Sequence, residues 1–132
     1  MNVLFINVKR PLGPVNKVKK GVVLNNSISI PQDLLYPATI LQKNKFKVKI
    51  IDANTKRLSD GEVVLRAKRF KPKLVIVNTT QMDRWQCPFL TINETIAIAE
   101  KITAEISAKV VVIGPHGSVT PEWVLEKSNA FD

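Results

Sequence analysis

Cysteine and histidine are almost absent from this chain: Cys87 and His116 are the single examples among 132 residues. One thiol makes neither an internal disulfide nor a thiolate metal cage, and a lone histidine needs other metal ligands that no spacing here identifies. No serine or cysteine nucleophile is placed near His116 by spacing, so no catalytic set is expected in this chain alone, and Cys87 reads as a small, half-buried apolar residue. Low cysteine usage points to a reducing compartment, with the cytoplasm as the default. Long hydrophobic runs are missing too. Met1-Asn2 leads straight into Val3-Leu4-Phe5-Ile6 with no basic lead, so neither a signal nor a membrane segment is expected.

What is present in excess is positive charge, a formal net of +9. Lys43, Lys45, Lys47 and Lys49 alternate with Phe46, Val48 and Ile50, and Arg66, Lys68, Arg69, Lys71 and Lys73 follow on the next helix and its exit. The alternation fits an edge strand that points lysines outward against edge-to-edge pairing. Aromatic residues are not interleaved with these charges, which favours a solvated edge over a nucleic-acid groove and makes a nucleic-acid partner unlikely on sequence grounds.

The chain is long enough for one domain with its own core, spanning residues 1–132. A first strand over residues 3–8 is apolar throughout, as a strand buried on both faces would be. Residues 9–30 form an unusually long connection, of the kind that more often covers a site than merely joins elements, with Val22-Val23-Leu24 as a possible short strand. A helix over residues 32–44 is expected, with Ser29 and Gln32 spaced as a capping box and an apolar stripe of Leu34, Leu35, Ala38 and Leu41. Pro37 inside it predicts a kink or a later start.

A second strand covers residues 46–51 and closes at Asp52. Ser59 and Glu62 cap a second helix with Val63, Val64, Ala67 and Phe70 inward. A third strand, residues 74–77, empties into Asn78-Thr79-Thr80-Gln81 and an aromatic-tipped loop over 82–88 that carries Trp85. Thr91 and Glu94 cap a third helix with Ile92, Ile96, Ala99, Ile102 and Ile106 inward. A fourth strand, residues 110–113, breaks at Gly114-Pro115-His116-Gly117 into a polar loop, and a last helix starts near Thr120 with Pro121 at its first position. Alternating strands and helices predict an α/β fold: a doubly wound, flavodoxin-like, mostly parallel sheet with helices on both faces. Residues 129–132 read as the approach to a fifth strand that the chain lacks, so the domain is expected to be the N-terminal part of a longer protein.

In such a sheet ligands sit at the carboxyl ends of the strands. Arg10-Pro11-Leu12-Gly13-Pro14 is not the glycine-rich turn a dinucleotide needs, nor the hydroxyl-rich loop a flavin phosphate needs. Asn7 and Asn78 stand where a phospho-accepting receiver would place acids. What remains are the polar residues at two strand ends, Asn7, Asn78, Thr79 and Thr80, and the Gly114-Pro115-His116-Gly117 loop; Thr79 and Thr80 either bond a ligand's phosphate or amide groups or cap local backbone. The two glycines allow close approach of a large ligand to the backbone. His116 is either a ligand contact or a loop residue bonded to nearby backbone, and Trp123 either a core or a contact residue.

Residues 31–41 (Pro-Gln-Asp-Leu-Leu-Tyr-Pro-Ala-Thr-Ile-Leu), 48–53, 70–75, Asn78-Thr79-Thr80, Gly114-Pro115-His116 and Thr120-Pro121-Glu122 together resemble the amino-terminal cobalamin-binding domain of cobalamin-dependent radical S-adenosylmethionine enzymes. The resemblance implies cobalamin held at the strand ends with its nucleotide tail in the crevice. It places Thr79, Thr80, Gly114 and His116 in matching loops and implies a downstream radical domain that carries the iron-sulfur cluster and S-adenosylmethionine. The Asp-x-His-x-x-Gly motif that supplies a cobalt-ligating histidine in other cobalamin domains is absent after the first strand, as is usual in this family. Pro37, Lys45 at a position where a helix-ending glycine is common, and the single glycine before Pro115 depart from the pattern. Two other readings stay open: a basic scaffold domain without cofactor, binding an acidic partner such as RNA, and a small-molecule enzyme with its site in the long first loop.

Overall fold

Four runs rich in valine and isoleucine form the strands of the sheet in the computed structural model, which describes residues 1–10, 30–79 and 92–132. They are β1 (Asn2–Asn7), β2 (Lys47–Asp52), β3 (Leu74–Asn78) and β4 (Lys109–Ile113), all parallel, in the order β2-β1-β3-β4. The helices are α1 (Gln32–Lys43), α2 (Asp60–Phe70), α3 (Asn93–Glu105), α4 (Pro115–Val119) and α5 (Pro121–Lys127). None is long and apolar enough to cross a membrane. The doubly wound, flavodoxin-like arrangement expected from the sequence is therefore present, with no fifth strand among the described residues.

Strand pleat divides the core in two. Val3 and Phe5 of β1 face α1 through Leu34 and Ala38, while Leu4 and Ile6 face α2, α3 and α5 with Val75, Val77 and Val110. Every one of β1's apolar side chains is buried, and each contributes about 1.5–3 kcal/mol relative to exposure. Because α1 lies on one face and α2 on the other, the chain turns in opposite directions from β1 to β2 and from β2 to β3. The carboxyl ends of β1 and β3 form the switch point of the sheet. At the open edge of β4 the Asp132 backbone N–H donates to the Val110 carbonyl and its carboxylate accepts from the Val110 N–H, both at 2.9 Å. Ala130 and Phe131 are buried in the larger core just before this contact.

The helix ends partly follow the sequence signals. Ser59 and Glu62 form a complete capping box on α2. α1 begins instead at Pro31 with no side-chain cap, and Ser29, its expected partner, lies outside the described residues, as does Thr91. Thr120 precedes α5 but donates its hydroxyl to the His116 carbonyl at 3.3 Å rather than capping the helix. α1 runs on through Pro37, and Leu35, expected in the apolar stripe, is 40% exposed. The expected polar loop after β4 is a one-and-a-half-turn helix, α4, because Pro115 sits at its first position, where a proline's fixed φ and missing donor cost nothing.

Among the described residues three other than glycine adopt positive φ: Lys45 (64°), Arg57 (50°) and Lys71 (52°). Lys45 and Lys71 follow the ends of α1 and α2, where left-handed backbone favours glycine and another residue costs about 1–2 kcal/mol.

Candidate functional site

Four strand ends meet in a buried polar network. Asn78 is its centre: its Oδ1 accepts the Val8 N–H at 3.1 Å, and its Nδ2 donates to Asn7 Oδ1 at 3.0 Å and to Asp33 Oδ2 at 3.3 Å. Asn7 passes the connection to β2 by donating to Asp52 Oδ1 at 2.8 Å. The Asn78 carbonyl accepts from Thr95 Oγ1 at 3.0 Å and from Arg10 at 3.4 Å. Asn7, Asn78 and Thr95 are wholly buried, so these bonds are shielded from water, and each loss leaves a partner unsatisfied.

Arg10 is the charged part of the network, only 8% exposed. Its guanidinium donates to the Thr79 carbonyl and faces Glu94 at 3.9 Å, while its backbone N–H donates to Asn54 and its carbonyl accepts from Arg57. A buried guanidinium needs such partners, and here they fix the start of the chain leaving β1 against the ends of β2 and β3. Thr79 is wholly buried and joins β3 to β4 through its N–H, which donates to the Ile113 carbonyl at 2.9 Å. Its hydroxyl has no hydrogen-bond partner among the described residues. A buried hydroxyl in that state costs free energy unless something bonds to it.

Beside the network lies an open groove of about 820 Å³. Leu35, Tyr36 and Pro37 of α1 form one wall, and Ile113, Gly114 and Pro115 the other, with Gln32, Asp33 and Thr39 as its polar groups. Asp33 belongs to both features, so the network anchors the groove wall to the switch point. Gly114 has φ 111° and ψ −173°, a conformation that is essentially restricted to glycine, and it allows β4 to turn directly into α4. Gly117 lies so close to β4 that a Cβ would stand 3.0 Å from the Val112 carbonyl oxygen.

His116 stacks on Trp123, with ring centroids 6.2 Å apart and planes inclined by 26°. Burial, with the Arg10 charge adding to it, holds the imidazole below its usual 6.5. Its Nδ1 is buried without a partner among the described residues. Trp123 itself is 41% exposed and carries Lys127 above its ring at 5.4 Å. Among the described residues no three acidic, histidine or cysteine side chains cluster as a metal site.

Of the residues singled out in the sequence, Asn7, Asn78 and Thr79 come together at the switch point, and Gly114 and Pro115 line the groove next to them. His116 and Gly117 sit on α4 behind that wall, and Thr80, Trp85 and Cys87 lie outside the described residues. Sequence reasoning passed over Asp33 and Arg10. An acid in the first turn of a helix reads as a complement to the helix dipole, and only the position of Asp33 opposite the third strand end reveals more.

The arrangement offers a large, mostly apolar groove with a few fixed polar groups at the carboxyl end of a parallel sheet, the setting in which such folds hold cofactors. A family model described as B12 binding domain matches residues 25–132. No curated protein and no solved structure matches the chain.

Proposed function

The chain belongs to the B12-binding domain family and is a cobalamin-binding module, and from that premise we propose that it is the cofactor-holding part of a cobalamin-dependent radical S-adenosylmethionine enzyme. The observation that carries the binding site is the groove between α1 and the β4–α4 turn, joined to the buried network through Asp33. Its volume and lining fit the nucleotide tail of cobalamin: Tyr36, Leu35 and Pro115 offer flat apolar contact, and Gln32, Asp33 and Thr39 offer bonds to polar edges. The Thr79 hydroxyl, which has no partner among the described residues, fits the same picture, a buried group whose bond is completed by a ligand. Asn7, Asn78, Thr79, Thr80, Gly114, Pro115, His116 and Gly117 are the residues assigned to this site.

Bound cobalamin supplies a cobalt centre able to carry a methyl group or to assist radical chemistry. The chain's own residues do other work. Asn78 and Arg10 hold the strand ends in register, the apolar walls exclude water, and Gly114 lets the ligand approach the backbone. His116, held neutral by burial and packed on Trp123, backs the Gly114–Pro115 wall of the groove rather than serving as a ligand to cobalt. The iron-sulfur cluster and S-adenosylmethionine belong to a downstream radical domain, since Cys87 alone provides no cluster ligands. What supports the radical assignment is the sequence resemblance over residues 31–122 together with the missing Asp-x-His-x-x-Gly motif. Titrating the chain with hydroxocobalamin, removing free cofactor and recording the visible spectrum tests the binding. Joining it to its downstream domain and assaying S-adenosylmethionine cleavage, with and without cobalamin, tests the radical partnership.

A further inference from the structure

The end of the sheet opposite the groove is lined with lysines drawn from separate parts of the chain. Backbone bonds tie the strand starts together: Lys47 N–H to the Met1 carbonyl, Lys73 N–H to the Asn2 carbonyl, and Lys109 N–H to the Lys73 carbonyl. Lys47 and Lys73 stand on either side of Asn2 in one rung, about 10 Å apart from the usual strand spacing, while Lys109 is opposite Leu74 and alternates to the other face. Lys45 and Lys71, at the ends of α1 and α2, flank the rung, and all five are exposed. Lys68, Lys71, Lys73, Glu105 and Ser107 are the polar residues lining a shallow depression of about 310 Å³ beside it.

Two observations separate this border from an ordinary solvated face. Lys45 and Lys71 hold left-handed backbone, where glycine would be unstrained. Helix dipoles do not account for them, because Lys43 already occupies the last turn of α1, and Lys68 and Arg69 that of α2. Strain of this kind collects where a side chain is needed. The second is segregation of charge. Among the described residues Lys68 pairs with Glu105 and Lys109 with Asp132, whereas Lys45, Lys47, Lys71 and Lys73 form no ion pair.

We propose that this basic border binds the phosphate backbone of a nucleic acid without reading its bases. Lys47 and Lys73, flanked by Lys45 and Lys71, suit a linear polyanion, and the distance between the two rung lysines covers about three phosphates of one strand. The lack of interleaved aromatic residues removes base stacking, not phosphate contact. Met1 is the one exposed large apolar side chain along the border among the described residues, which leaves little to anchor a lipid surface.

The test is fluorescence anisotropy of a labelled oligouridylate of about 20 nucleotides with the full chain, in salt from about 50 to about 200 mM. Four lysine contacts predict a log–log slope of about −2.8 and an affinity loss of about 50-fold over that range. The double variant Lys45→Gly/Lys71→Gly is expected to lower the slope by about 1.4 and the affinity at 0.1 M salt by about 25-fold. It is also expected to raise Tm by about 5–15 °C, because the strain at two left-handed positions is relieved. Lys47→Gln/Lys73→Gln, which touches no left-handed position, is expected to reduce the slope equally if the first variant folds poorly. Lys56→Ala and Lys101→Ala, away from the border, should leave binding unchanged. Absence of binding at the lowest salt, a slope unaltered in both double variants, or equal binding of polyglutamate or anionic vesicles would each overturn the proposal. None of these outcomes bears on cobalamin retention, which uses the other end of the sheet.

Discussion

Replacing Asn78 with aspartate keeps the shape of the side chain at the centre of the buried network while removing its donor half. The new carboxyl still accepts from Val8, but it has no amide to offer Asn7 Oδ1 at 3.0 Å or Asp33 Oδ2 at 3.3 Å. Two lost bonds cost about 1 kcal/mol each, and a buried acceptor left unsatisfied costs about 1–3 kcal/mol more. Repulsion between two carboxylates about 4 Å apart, of order 4 kcal/mol at an effective dielectric of 20, is limited because the new group takes up a proton instead. The expected loss at pH 7.5 is about 3–5 kcal/mol, a large part of a typical stability of about 5–15 kcal/mol. Urea unfolding followed by circular dichroism should show the midpoint lowered by about 2 M for a slope near about 2 kcal/mol/M.

Acidity supplies a second signature. Burial and Asp33 raise the new carboxyl's folded pKa above its unfolded value, so the native state of the variant binds more protons than the unfolded state. Its stability therefore falls as pH rises between those two values, and the deficit should shrink as pH is lowered from 7.5 towards 5. Asn78→Ala should lose about 3 kcal/mol with no such recovery. An aspartate variant within about 0.5 kcal/mol of the parent, or a deficit that ignores pH, would refute the network as the clamp of the strand ends.

Gly114→Ala forces a side chain onto a backbone at φ 111° and should cost about 1–3 kcal/mol, together with a loss of cobalamin retention in gel filtration. His116→Ala should leave the ligand-field band of bound cobalamin unchanged; a clear shift would make the histidine a cobalt ligand. Because the folded imidazole is held below 6.5, the native state binds fewer protons near that pH. Its share of stability is therefore present above 6.5 and lost as pH falls through the lower folded value, and the alanine variant should lack that share in Tm measured against pH. Tyr36→Asp, at the exposed wall of the groove, should weaken cobalamin about tenfold while leaving cobinamide, which lacks the nucleotide tail, nearly unaffected.

The sheet was legible because each strand is a short apolar run closed by turn-forming residues, and the pairing of its ends follows from parallel winding. Asn78, Thr79 and Gly114 were legible as strand-end positions for the same reason: they are the first polar or conformationally free residues after a buried strand. The network was not, since Asn7 and Asn78 are 71 residues apart and nothing local marks them as partners. Helix α4 was hidden by its own composition. Proline and two polar residues around Gly117 read as a loop, and only the close seat of Gly117 on Val112 and the stacking of His116 on Trp123 turn it into a helix. Leu35 was misplaced because it adjoins a genuine core residue, Leu34, and the stripe on α1 is narrower than the apolar residues available to it.

The central claim, that the carboxyl end of the sheet holds cobalamin, is tested most directly by mixing the chain with hydroxocobalamin, desalting, and recording the visible spectrum of the protein fraction. Corrinoid absorbance retained in proportion to protein, and diminished in Gly114→Ala, is the predicted result. A protein fraction without corrinoid absorbance, both for this chain and for one extended beyond Asp132, would contradict it.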